Sequence, residues 1–338
     1  MKKILLGLAL IFICLIVVYL LGPKPEYKKV NNTPIELGIS LENIEDYIKT
    51  KEGSIPDIKA KNEAHILWAD STRKTEYAFV YLHGFTASHG EAHPIIQNIA
   101  KQYKSNTFLS RIHSHGLNDK DAFLDLTPTS MIESAKEAIA IGRTIGHKVI
   151  VMSCSTGSTY SAYLAPQDPA IVAQIMLAPN FDLQDPNTKL LVKPWGKQIM
   201  KKITGGNYRD WGGSDEIRTY WNTVDRIEGY IALRDLLNQT MSDDIFEQND
   251  VPTFIGYYYK DDMHKDDVIS IEAINNYINK TSTPPSHLKI IPFDNARGHV
   301  ICSSIMNNNW ESVQDSIFDF VESSIIMKPA TNIPDVIN

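Results

Sequence analysis

The chain has 338 residues, 43% of them hydrophobic and 22% charged, with 18 glycines and 17 prolines. That is the composition of a globular protein of about two domains, or of one large α/β domain with an insertion, and it excludes global disorder, collagen and coiled coil. A net charge of −7, without a Lys/Arg-rich run or zinc-finger spacing, argues against a nucleic-acid partner, and three cysteines without a C-x-x-C cannot build a disulfide framework.

Ile4 to Leu21 is an unbroken apolar run, preceded by Lys2 and Lys3 and ended by Gly22-Pro23. As a helix it spans roughly 27 Å, close to a thin bilayer core. Its exit, Val-Tyr-Leu-Leu-Gly-Pro, lacks the small-residue pattern of a cleavage site, so 1–22 reads as an uncleaved anchor ahead of a cleaved signal segment. Residues 1–29 carry +4, leaving −11 on the rest. The lysines on either side of the run nearly balance, and the resemblance of the first residues to an export signal favours a single-pass membrane protein with an extracytoplasmic body. Residues 23–62 read as a tether with a lead-in helical patch at Leu41–Ile48.

From residue 64 short β-rich runs alternate with helical stretches. Strands are expected at Ile66–Trp68, Tyr77–Leu82, Asn106–Ile112, Lys148–Ser153, Val172–Ala178, Thr253–Tyr258 and Leu288–Pro292. Helices are expected at Glu91–Tyr103, where Ser88 and Glu91 fit a capping box, and at Pro128–Ile145, Ser158–Leu164, Ile269–Ile278 and Trp310–Glu322. Such alternation predicts a mostly parallel sheet with helices on both faces. The interruption at 182–250, rich in Trp and Tyr and with a helical patch at Ile227–Leu237, reads as an insertion over the sheet within a body spanning 63–325, and 326–338 as a flexible tail.

Four signals carry chemistry. Ser153-Cys154-Ser155-Thr156-Gly157 joins the β run KVIVMS to a helical stretch, a tight turn that exposes the Ser155 hydroxyl and needs small residues two before and two after it. Ser153 stands where such turns usually carry glycine. The Thr156 amide, at the helix N-terminus, is placed for a developing oxyanion. His83-Gly84-Phe85 leaves the buried run YAFVYL, with His83 as scaffold and the Phe85 amide as second donor. Gly298-His299 follows the run LKIIPF and supplies the base a serine needs near neutral pH. A carboxylate must orient that histidine. Asp266, just ahead of Val268 and Ile269, is preferred, then Asp262, then Asp267 and Asp261. The acidic stretch lacks the glycine and terminal glutamate of a calcium loop, and His113-Ser114-His115-Gly116 lacks a third ligand and reads as a tight turn. No metal is expected, and no cofactor, there being neither G-x-x-x-x-G-K nor G-x-G-x-x-G after the first strands.

The order Ser155, Asp, His299, with His83-Gly84 upstream and His113-Ser114-His115-Gly116 after the next strand, resembles the α/β-hydrolase superfamily, its monoacylglycerol-lipase and serine-aminopeptidase-like branch, over about residues 64–325. The resemblance implies the α/β-hydrolase fold with 182–250 as a helical cap shaping an acyl pocket. It further implies attack by Ser155 on an acyl-ester substrate, with His299 as base, Asp266 orienting it, and Phe85 and Thr156 amides holding the oxyanion. The function expected is hydrolysis of lipid or other acyl esters. A peptidase, an acyltransferase or a catalytically silent binding module of the same fold are the rivals.

Overall fold

The computed structural model describes residues 2–330. A helix, α1 (Lys2–Leu20), is followed by an extended segment and α2 (Ile44–Gly53). The main sheet has eight strands: β1 (His65–Leu67), β2 (Thr75–Leu82), β3 (Thr107–Leu109), β4 (Gly146–Cys154), β5 (Ile171–Leu177), β8 (Thr253–Asp261), β9 (His264–Lys265) and β10 (Leu288–Phe293). Their order is β1-β3-β2-β4-β5-β8-β10, with β9 on β8; β1 runs antiparallel to β3 and β9 to β8, and every other pair is parallel.

Along β2, Ala78, Val80 and Leu82 enter one core and Phe79 and Tyr81 the other. β4 repeats the pattern, with Val149 and Val151 opposed to Ile150 and Met152. Side chains alternate faces along a strand, so a continuous apolar run is what a sheet covered on both sides requires. α4 (Pro128–Ile145) and α5 (Thr156–Leu164) cover the first face, and α3 (Ile95–Tyr103) and α11 (Trp310–Ser324) the second. α4 starts where its sequence says it should: Pro128 is its first residue, and the Thr127 and Ser130 side chains cap each other's amides. α3 starts four residues later than expected, after a 3₁₀ turn at His89–Ala92.

The chain from Asp182 to Asp250 holds α6 (Gly196–Ile203), an antiparallel pair β6 (Tyr208–Asp210) and β7 (Val224–Arg226), α7 (Asp215–Tyr220), α8 (Ile227–Thr240) and α9 (Asp243–Glu247). α8 is a core element rather than a loose cover, because Ala232, Leu233, Leu236 and Leu237 are buried in the cluster that α4 and α5 line. α10 (Ile271–Lys280) flanks β8. The 23–62 segment lies against the body: Val30 donates to Gln239 Oε1 at 2.8 Å, and Tyr27, Leu37 and Ile39 pack on the same core. Of the expected tail, 331–338 lie outside the described residues.

The strand order fixes where a site can form. From β2 the chain steps to β3 on one side, then crosses back to β4 on the other, so the C-terminal ends of β2 and β4 flank the point where the winding reverses. Loops leaving such a point diverge and open a crevice. Leu82 is level with Ser153, so both loops leave from the same height.

Candidate active site

The turn from β4 to α5 carries Ser155 at φ 52° and ψ −119°. An L-residue with positive φ outside the ordinary left-handed well is strained, and the surrounding structure must hold it. Here Ser155 N–H donates to Leu177 O at 2.9 Å, and its carbonyl accepts from Ser158 N–H at 2.9 Å and Asn180 N–H at 3.1 Å. Gly157 is required by contact: a Cβ there would lie 1.9 Å from Leu82 O. Ser153 fits the first small position because its fully buried hydroxyl is satisfied, 3.0 Å from Ser158 Oγ and 3.2 Å from Ile175 O.

His299 reaches this serine from the loop between β10 and α11, next to Gly298 at φ 109°. Its Nε2 is 2.8 Å from Ser155 Oγ and its Nδ1 is 2.7 Å from Asp266 Oδ2. A carboxylate only accepts, so Nδ1 carries the proton and Nε2 is left to accept from the serine hydroxyl. Burial pushes the His299 pKa down, but the charge and hydrogen bond of Asp266, with Glu91 and Asp267 further off, outweigh it and leave the pKa raised.

Asp266 is fully buried, and its other oxygen accepts from Val268 N–H at 2.9 Å and Ile269 N–H at 3.2 Å. The long acidic loop is a hairpin. β8 runs on to Asp261 and doubles back through β9, with Tyr259 facing Lys265, so Asp266 N–H bonds Tyr258 O at 3.1 Å. Asp262 sits at the hairpin tip, its side chain 89% exposed and its carboxylate accepting from Tyr259 O–H at 3.2 Å. Asp261 bonds His264, also at the tip, and Asp267 faces solvent.

Beside the turn from β4 to α5, the loop after β2 is pinned. His83 is fully buried; its Nε2 accepts from Ile112 N–H at 2.9 Å, so its Nδ1 carries the proton and donates to Gly84 O at 2.9 Å. Burial, then the nearby His115, hold the His83 pKa well below its ordinary value and keep it neutral. Gly84 is packed against the nucleophile: a Cβ there would lie 3.1 Å from Ser155 Cβ and 3.2 Å from Glu91 Oε2. Neither the Phe85 nor the Thr156 amide makes a hydrogen bond among the described residues. The Phe85 ring lies 5.1 Å from each of Phe123 and Tyr230 and 5.7 Å from His115, centroid to centroid, and Thr86 O accepts from Asn222 N–H of the 182–250 segment at 2.8 Å. His113-Ser114-His115-Gly116 forms a turn, with Ser114 and Gly116 at positive φ and His113 O 2.8 Å from His115 Nδ1.

Glu91 is the residue whose place the sequence reading missed. No capping box forms: the Ser88 hydroxyl is buried without a hydrogen-bond partner, and the Glu91 side chain turns inward beneath the loop after β2. Burial pushes its carboxyl up to about 7, against the opposing hydrogen bonds from Gly84 and Tyr81 and the nearby His299. Cys302, three residues after His299, lies 4.0 Å from Tyr81 Oη in the same pocket of buried groups. Among the described residues no group of three or more His, Cys, Asp or Glu is arranged to hold a metal.

No family model and no curated protein matches the chain. Solved structures do. A metagenome-derived lipolytic enzyme of the LipS and LipT study superposes with a TM-score of 0.63 at 13% identity, over 79% of this chain and 99% of its own. A soluble variant of the monoglyceride lipase of Saccharomyces cerevisiae gives 0.55 at 11% identity over 77% and 91%. A lipase-esterase related protein from Clostridium acetobutylicum gives 0.51 at 13% identity over 76% and 99%. What is shared with these is the architecture: the chain has the α/β-hydrolase fold.

Proposed function

We propose that this protein is a serine hydrolase that cleaves carboxylic esters through an acyl-enzyme. The observation that carries the reading is the unbroken line from Ser155 Oγ through His299 to Asp266, at 2.8 and 2.7 Å, starting from a strained strand-to-helix turn. Ser155 attacks the acyl carbonyl as His299 Nε2 takes its proton, and Asp266 stabilises the imidazolium that results. The Phe85 and Thr156 amides donate to the oxyanion, both being buried or half-buried and without another partner. His299 then protonates the departing alkoxide, and a water deprotonated by His299 releases the acid. The half-buried rings of Phe85 and Tyr230, 5.1 Å apart, suit an acyl chain of a lipid or similar ester, and the names of the lipolytic structures above agree with that class.

An active-site-directed fluorophosphonate is expected to label the wild-type protein and not Ser155→Ala, and p-nitrophenyl ester turnover is expected to vanish with that substitution. Retained turnover in Ser155→Ala excludes the proposed nucleophile; absence of both labelling and turnover in the wild type points to a silent binding module.

The apolar run Lys3–Leu20 has a mean hydropathy of 2.8 and none of it is buried against the body. We propose that it anchors the body to a membrane, with the hydrolase outside the cytoplasm. Retention of the full chain in the membrane pellet after alkaline extraction is the expected result, and release would identify a cleaved or peripheral segment instead.

A further inference from the structure

The amide assigned above to the oxyanion belongs to the Gly84–Phe85 peptide, and that peptide is held on one side only by what the sequence suggested. A trans peptide is planar, with its C=O and N–H pointing opposite ways. His83 Nδ1–H and Ala87 N–H both donate to Gly84 O, at 2.9 and 3.3 Å, which turns the Phe85 N–H the other way. Gly84 itself lacks a side chain and would swing on its own φ unless its N–H were also tied. Glu91 ties it: Oε1 accepts from Gly84 N–H at 2.6 Å and from Tyr81 O–H at 2.9 Å. Glu91 is 1% exposed and comes from a turn seven residues downstream.

We propose that Glu91 is the positioning residue of the oxyanion loop, acting through the Gly84 N–H to aim the Phe85 amide at the developing charge, and that what this task needs is the reach of its acceptor oxygen rather than its negative charge. The inference rests on the ester-hydrolase reading. Glu91 does not touch the reacting atoms. Its carboxyl fixes the backbone before Gly84, as His83 fixes the peptide after it, so that two buried side chains clamp one glycine from both ends.

Reach and charge separate by substitution. Glu91→Asp keeps the charge but withdraws the oxygen by one methylene. Glu91→Gln keeps the oxygen in place and removes the charge. With p-nitrophenyl butyrate as probe and the full-length protein, Glu91→Asp is expected to lose about 10- to 100-fold in kcat, as displacing one oxyanion donor does. KM is expected to stay within about twofold, because the donor acts on the transition state and not on the bound ester. Glu91→Gln is expected to recover kcat to within about threefold of wild type. A trifluoromethyl ketone, which binds as a tetrahedral oxyanion adduct, is expected to weaken in Glu91→Asp by the same factor as kcat/KM. Equal losses in Asp and Gln, a rise in KM in place of a fall in kcat, or an Asp variant indistinguishable from wild type each overturn the proposal. Should the Asp variant not fold, Gln alone still decides, since a kcat loss beyond about tenfold there makes the charge the working feature. Lack of turnover by the wild type sinks the ester-hydrolase reading itself and is thereby told apart.

Discussion

At the scale of single residues the proposed mechanism divides the site into groups that would meet the substrate and groups that would hold them. Asp266 belongs to the second kind, and its setting makes a sharp forecast. Its carboxylate is fully buried, with both oxygens engaged, one by His299 and one by two amides. Asp266→Asn presents the wrong hydrogen-bonding partner to Nδ1–H, and a loss of about 10³- to 10⁴-fold in kcat is expected with folding retained. Asp262→Asn, at the exposed hairpin tip, is expected to leave kcat unchanged; the reverse pattern would falsify the assignment. The same contact sets the pH profile. His299 must be neutral to act as base, and Asp266 raises its pKa. The acid limb of kcat/KM is therefore expected above the ordinary histidine value of about 6.5, to be read from a pH series on the wild type. The sequence singled out Ser155 because it directly follows a buried strand, and His299 because it lies in the loop between the last strand of the sheet and the last helix; it left four aspartates of one loop as candidates for the acid. It could not choose firmly among them, since the choice depends on where a hairpin turns back. Glu91 was misread for a related reason. A Ser-x-x-Glu spacing fits a helix cap equally well whether the glutamate bends toward its own turn or toward a glycine seven residues before it.

At the scale of elements, the hinge of the site is the passage from β4 to α5, where α5 passes close over the end of β2. Gly157 marks the contact, and its Cβ would fall 1.9 Å from one backbone oxygen and 3.0 Å from another, His83 O. Neither is the end of a flexible side chain, so Gly157→Ala must push α5 off β2. That costs at least the roughly 1–3 kcal/mol of an overpacked core and shifts Ser155 from His299. The expected result is a fall in Tm of several degrees, read by thermal melting, together with loss of fluorophosphonate labelling. A Gly157→Ala protein that melts and labels as the wild type does would contradict the packing described here. The central strands β2, β4, β5 and β8 and helix α4 were legible because burial on both faces leaves a continuous run of Val, Ile, Met and aromatic residues, and because Thr127-Pro128 announces a helix start. β6, β7 and β9 were not, being two or three residues long and only partly buried, so no periodicity can develop. α8 was legible as a helix but not as core, since its partners α4 and α5 lie far away in sequence.

At the scale of the whole molecule, charge is sorted in a way that bears on how the body meets a membrane. The chain carries −7 overall, yet residues 186–204 hold five lysines, Lys189, Lys193, Lys197, Lys201 and Lys202, and no Asp or Glu. Leu190, Ile199 and Ile203 stand among them at 48%, 45% and 79% exposure. The end of α1 is beside this segment: Trp195 N–H donates to Pro23 O at 2.9 Å and its indole N–H to Val18 O at 3.1 Å. Lys189 and Lys197 pair with Asp182 and Glu228; if α1 spans a bilayer, Trp195 sits at the depth where tryptophans collect, and Lys193, Lys201 and Lys202 meet the headgroups, each contributing about 1 kcal/mol on an anionic surface. Ile203, otherwise a large apolar side chain in water, then dips into the interface. An environment-sensitive dye on Ile203→Cys, in a Cys14→Ser background where Cys154 and Cys302 remain buried, reports on this directly. In proteoliposomes containing anionic lipid the dye is expected to shift to the blue relative to detergent-free nanodiscs of zwitterionic lipid. Replacing Lys193, Lys201 and Lys202 by glutamate is expected to abolish that shift while fluorophosphonate labelling persists. A dye equally water-exposed in both lipids would mean that the body stands clear of the surface, and that an ester reaches Ser155 from solution and not from the bilayer.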